Sequence, residues 1–121
     1  MIVTDVNILI YAYDINYVHH EKIKTWLAEK LNSTDTFYLN WQAITGFLRI
    51  TTNPKLFPIP MASEKAREKV NSWLERSNVR ILLPTERHWT IFERLLAETK
   101  IVGAKTMDAH LAALAIEYGV I

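Results

Sequence analysis

The 121-residue sequence contains no cysteine, which excludes a disulfide scaffold, a thiolate metal site and a cysteine nucleophile. Glycine and proline are scarce, at three and four residues. Three of the prolines, Pro54, Pro58 and Pro60, fall close together, so residues 53–60 are the clearest loop, within one domain and not a linker. Charge of one sign is missing as well: fourteen Lys+Arg stand against thirteen Asp+Glu, for a net charge of +1. Without a global basic field, any nucleic-acid phosphate has to be met locally. Long apolar runs are also absent. Ile8–Ala12 and Leu111–Ile116 fall well short of the roughly 20 residues of a membrane span. The first residues lack the basic start and cleavage region of a signal peptide. A cytoplasmic protein with no membrane partner is the expectation. Half of the residues are hydrophobic and 22% are charged, so the chain can bury a core and is not of disordered composition.

Periodicity divides the chain into alternating short strands and helices. Residues 1–4 read as a strand, followed by apolar positions Val6, Leu9, Ile10 and Tyr13 at helical spacing. Residues 17–31 read as an amphipathic helix with Ile23, Trp26, Leu27 and Leu31 on one face. Residues 36–39 are a second strand, and residues 42–51 a helix through Ile44, Phe47 and Leu48, with Trp41 at its start. Residues 63–76 form a helix with Ser63 as its cap, and residues 79–83 a third strand. Residues 85–99 form a helix carrying Trp89, Phe92, Leu95 and Leu96. Residues 106–118 form a largely apolar helix closed by Gly119, and Val120 and Ile121 begin a fourth strand. The alternation predicts a single α/β domain over residues 1–121 with a mainly parallel sheet. Such sheets place ligands beyond the carboxyl ends of their strands, and Asp5 lies at such an end.

Two carboxylates stand out. Asp5 lies between apolar stretches, and Asp108 opens an alanine- and leucine-rich helix. Both are expected near buried backbone, where a lone carboxylate is costly unless something pairs with it. A hard cation would offset that cost, since magnesium takes one or two carboxylates, several waters and phosphate oxygens. Spacing alone leaves a second reading open. Asp5 could cap the following helix with Asn7 in a local turn, and Asp108 could follow a Thr106 cap and favour the helix dipole.

Three blocks decide between these readings. Val3-Thr4-Asp5-Val6-Asn7-Ile8-Leu9-Ile10-Tyr11-Ala12 resembles the opening of a PIN domain. Gly46-Phe47-Leu48-Arg49-Ile50-Thr51-Thr52-Asn53-Pro54, followed by Phe57 and Pro60, is similar to a block of many VapC-type toxins. Met107-Asp108-Ala109-His110-Leu111-Ala112-Ala113-Leu114-Ala115-Ile116-Glu117-Tyr118-Gly119 resembles their C-terminal catalytic helix. The resemblance runs in order along the whole chain. It implies a PIN-like three-layer fold, with the parallel sheet flanked by helices and the last strands missing or incomplete. It also implies a metal-dependent endoribonuclease, using Mg²⁺ or Mn²⁺, that forms the toxin of a type II toxin–antitoxin pair. Its partners would be RNA, a cognate antitoxin protein and a second copy in a homodimer. On this basis Asp5 and Asp108 are the catalytic metal ligands and Asn7 orders the site near Asp5. By its charge alone, Arg49 could bind the RNA substrate through a phosphate.

The sequence departs from the family pattern twice. Gly46 stands about where many PIN domains carry a glutamate, although the subgroup resembled here often lacks it. The family also continues past the Asp108 helix through a strand into a segment with a further acid, whereas this sequence ends at Ile121. A shortened product with an exposed edge on its first strand is therefore expected, or a piece of a longer protein, or a sheet completed by another chain. The runner-up function is a catalytically incompetent remnant that binds an antitoxin or dimerises. A third reading is a small α/β domain whose carboxylates only cap helices. His19, His20, His88 and His110 lack metal-ligand spacing, and on a helix His110 points away from Asp108. Trp26, Trp73 and Trp89 read as core or interface positions. Lys55 could also meet phosphate, with a solvated face equally expected for it and for Arg49.

Overall fold

The computed structural model describes residues 2–3, 6–57 and 59–119. Residues 2–81 and 82–119 fall into two compact units. The first contains strands β1 (Ile2–Val3), β2 (Phe37–Leu39) and β3 (Val79–Ile81), with helices α1 (Val6–Tyr11), α2 (His20–Leu31), α3 (Trp41–Thr51) and α4 (Ser63–Leu74). The second contains α5 (His88–Thr99), a 3₁₀ turn (Gly103–Lys105) and α6 (Thr106–Glu117).

The strands pair in the order β1-β2-β3, and both pairings are parallel. Ile2 lies opposite Phe37, and Phe37 in turn lies opposite Val79. The expected mainly parallel α/β sheet is therefore present. β1 forms one edge of it among the described residues. The expected fourth strand at Val120 and Ile121 lies outside the described residues, as does Pro58 of the loop.

Helix boundaries differ from the sequence expectation where local hydrogen bonds compete. α3 begins at Trp41 because the Asn40 side chain caps it, with Oδ1 accepting from Ala43 N at 2.8 Å. α2 begins at His20 and not at residue 17. The preceding turn is held by Asp14 Oδ1 accepting from Asn16 N and by Tyr17 stacked on Tyr11 at 3.8 Å. Ser63 is not a cap. Ala62 occupies that position without a side-chain hydrogen bond, and Ser63 is the first helical residue. Thr106 likewise lies inside α6, with Lys105 at the cap position, because the 3₁₀ turn feeds directly into the helix. Gly119 follows α6 at φ 66°, in the left-handed region expected of a glycine that ends a helix. In the loop after α3, Asn53 Oδ1 accepts from Lys55 N, and the buried Phe57 anchors the segment.

The core of the first unit gathers Leu9 and Ile10 of α1, Leu27 and Leu31 of α2, Phe37 and Leu39 of β2, Ile44 and Phe47 of α3, and Trp73 of α4. Trp73 is 1% exposed, meets the Phe47 ring edge-on at 4.8 Å, and donates from Nε1 to Tyr13 Oη at 3.3 Å. That bond satisfies the indole N–H inside the core. Burial raises the Tyr13 pKa, and the Trp73 hydrogen bond and the Arg76 charge only partly oppose it. Trp26 is half-buried and packs against the same core. Trp89 is not in the core. It is 61% exposed, because α5 turns its Ile91, Phe92, Leu95 and Leu96 side inward instead.

α1 and α3 pack so closely that a Cβ at Gly46 would lie 2.9 Å from Val6 Cγ2. Val6 is β-branched and stiff in a helix, so it cannot easily swing aside. Gly46→Ala gains up to about 1 kcal/mol of helix propensity. Overpacking costs about 1–3 kcal/mol. The expected outcome is a net destabilisation that Val6→Ala in the same chain relieves. A double-mutant cycle by urea denaturation checks this, and additive effects would contradict the close contact.

Candidate active site

Asp5, the first of the two predicted metal ligands, lies outside the described residues. Asn7 is exposed on the first turn of α1. Arg49 is exposed in the last turn of α3, where its charge also complements the helix dipole. Asp108 lies in the first turn of α6 and is exposed, which corrects the expectation that it sits close to buried backbone. The reason is its place at the amino end of the helix, ahead of the buried positions Ala109, Ala113, Leu114 and Ala115. A carboxylate there is favoured by the helix dipole and keeps its hydration.

The chemistry of Asp108 suits a hard divalent cation. Its two oxygens are hard donors, and among the described residues no hydrogen bond or ion pair occupies them. Magnesium or manganese needs few protein carboxylates, because water and phosphate oxygens complete the shell. Among the described residues no group of three His, Cys, Asp or Glu side chains could hold a metal ion.

The second unit also contains a polar chain that sequence reasoning missed. Glu117 is 9% exposed, near the end of α6. One of its carboxylate oxygens, Oε1, accepts from Thr85 N at 2.8 Å and from the Thr85 hydroxyl. The other, Oε2, lies 2.6 Å from His88 Nδ1. His88 Nε2 lies 2.9 Å from His110 Nδ1. Arg87 adds a bond from Nη2 to the Glu117 backbone oxygen at 2.8 Å. α5 begins at His88 rather than at residue 85 because Thr85 is engaged by Glu117. The signal in the sequence was the seven-residue spacing of His110 and Glu117, which puts both on one face of α6.

The carboxylate dictates the proton arrangement of the chain. It can only accept, so His88 carries its proton on Nδ1. With both rings neutral, His88 Nε2 accepts from His110 Nδ1–H, and His110 Nε2 is left as an acceptor. That atom is buried and has no partner among the described residues. Burial, reinforced by His88, lowers the His110 pKa, with Glu117 opposing, which keeps this ring neutral. For Glu117, burial alone would raise the pKa. The hydrogen bonds from the Thr85 hydroxyl, His88 and Thr85 N–H outweigh it, and the net shift is downward. His20 is a separate, satisfied histidine, donating from Nδ1 to Tyr11 O at 3.0 Å.

Across residues 2–121 the chain matches the model of the PIN domain. The chain belongs to the PIN-domain family. Ribonuclease VapC37 of Mycobacterium tuberculosis is 35% identical over 118 residues, spanning 98% of this chain and 82% of that protein. Ribonuclease VapC33 of the same species is 33% identical over the same shares of each chain. The VapC ribonuclease Mb2897 of Mycobacterium bovis is 32% identical over 97% of this chain and 80% of its own length.

The lowered Glu117 pKa makes stability depend on pH. A carboxyl with a depressed folded pKa stabilises fully above its ordinary value of 4.5, and the contribution is lost as pH falls through the lowered value. Thermal melts between neutral and acid pH should show that loss in the native chain and a smaller one in Glu117→Gln. Glu117→Ala strands Thr85 N–H and should cost roughly 1–3 kcal/mol at neutral pH.

Proposed function

We propose that this chain is a VapC-type ribonuclease, the toxin of a toxin–antitoxin pair, in which Asp5 and Asp108 hold a Mg²⁺ or Mn²⁺ ion. The observation that carries the reading is the PIN-domain match over residues 2–121, together with near-complete coverage by relatives named VapC ribonucleases. The exposed, unengaged carboxylate of Asp108 supports its part in it. Residues 1–121 act as one domain in this reading, in the cytoplasm and as a homodimer. Among the described residues no helix is long and apolar enough to cross a membrane.

A bound divalent cation activates water and neutralises charge on a phosphodiester. The protein's own part is to orient that chemistry. Asp5 and Asp108 supply hard carboxylate oxygens, and Asn7 orders the neighbourhood of Asp5. Arg49 meets a phosphate of the RNA from the end of α3, where its guanidinium can pair with two phosphate oxygens. Hydrolysis of the RNA phosphodiester follows, and a cognate antitoxin protein restrains it.

Two variants and one metal titration test the reading. The purified chain should cleave RNA only with Mg²⁺ or Mn²⁺ present. Asp5→Asn and Asp108→Asn should each reduce cleavage by at least about 10²-fold, the scale of losing a positioned catalytic group. Mn²⁺ should raise the melting temperature of the native chain by mass action, and not that of either variant. Metal-independent cleavage, or full cleavage by Asp5→Asn, would overturn the assignment. A cooperative melt with neither metal response nor cleavage would favour a protein that acts by binding its antitoxin alone.

A further inference from the structure

α6 raises a problem of specification. Its residues Met107, Ala109, Leu111, Ala112, Ala113, Leu114, Ala115 and Ile116 are apolar on nearly every side of the helix. Hydrophobic burial sets the rotation of an amphipathic helix by its single apolar stripe. A helix that is apolar all round can roll about its axis at little cost in buried area. Its rotation must then come from groups that cannot be satisfied in any other position.

His110 and Glu117 are such groups. They lie two turns apart on one face of α6, and His88 at the start of α5 binds both of them, at 2.9 Å and 2.6 Å. Thr85 grips the same carboxylate from the other side through N–H and hydroxyl, and Arg87 holds the backbone oxygen of Glu117. A roll of α6 would break these bonds together and leave a charged carboxylate buried without partners, which is strongly unfavourable. Asp108 is two residues from His110, about 200° around the axis. A roll of only about 10° would move a carboxylate 5–6 Å from the axis by about 1 Å. Misplacement on that scale costs about 10²-fold in rate.

We propose that the Thr85–Glu117–His88–His110 chain is a positioning device that locks the rotation of α6 and thereby aims the Asp108 carboxylate. His88 and Glu117 are positioning residues that touch neither substrate nor cation. The inference rests on the reading of Asp108 as a metal ligand, and the test separates the two.

His88→Leu removes both bonds of the link while keeping apolar volume. His88→Asn keeps a donor near the Nδ1 position for Glu117, and His88→Gln keeps an amide near the Nε2 position for His110. Each variant is measured for cooperative melting, for Mn²⁺ affinity by electron paramagnetic resonance, and for kcat and KM on a single RNA, beside Asp108→Asn. His88→Leu should melt cooperatively, bind Mn²⁺ about 10–100-fold more weakly, and lose kcat with KM for RNA unchanged. His88→Asn and His88→Gln should lie between it and the native chain. If His88→Leu does not fold, the Asn and Gln variants decide, and native Mn²⁺ affinity in both overturns the proposal. Native affinity and kcat in a folded His88→Leu, with Asp108→Asn inactive, overturn the positioning role alone. Native behaviour of Asp108→Asn overturns the metal-ligand reading and the positioning role with it.

Discussion

Parallel strand pairing is the constraint on which the first unit depends. Two parallel strands cannot be joined by a tight turn, so each link between them needs a long crossover. β1 and β2 are joined through α1 and α2, and β2 and β3 through α3 and α4. The strands themselves are two or three residues long, so their ladders contribute few hydrogen bonds. Stability therefore comes from the helices that the crossovers bring over the sheet, and from the rings of Phe47 and Trp73 between them. Close helix approach follows from the same need, and at Gly46 a Cβ would crowd Val6 at 2.9 Å.

Three buried polar side chains in these elements are satisfied in different ways. Asn40 closes the end of β2 and starts α3 with one side-chain oxygen. His20 ties the start of α2 to the carbonyl at the end of α1. Glu117 is the most demanding case, because a buried charge needs several donors at once. Thr85 and His88 provide them, which is why the segment before α5 stays non-helical and binds the carboxylate instead. Hydrogen bonding keeps this carboxylate ionised despite its burial.

Asp108 and Glu117 stand at opposite ends of one helix and illustrate two ways of placing a carboxylate. At the amino end Asp108 faces water and the positive end of the dipole, with its oxygens unengaged among the described residues. At the carboxyl end Glu117 sits where the dipole opposes it, so side-chain and backbone donors must compensate. The first arrangement suits a group that must bind something. The second suits one that must hold the helix still.

Much of this was legible in the sequence. Apolar periodicity at 3.6 residues located every helix longer than two turns, and short β-prone runs between them located β2 and β3, because burial writes its period into the chain. The PIN-domain blocks, read from Val3, Gly46 and Met107 onward, led to the family directly. Helix starts were less legible, since Asn40, Asp14 and Thr85 act through hydrogen bonds that periodicity does not encode. Asp108 was found as a residue but not as an exposed one. The sequence by itself determined the family and the parallel α/β class, and it singled out the two carboxylates on which the proposed function rests. Only the tertiary structure decided that Gly46 packs close against Val6, and that His88 joins His110 and Glu117 from 22 and 29 residues away. Contacts of that separation depend on how helices pack, and no local pattern of residues records the packing.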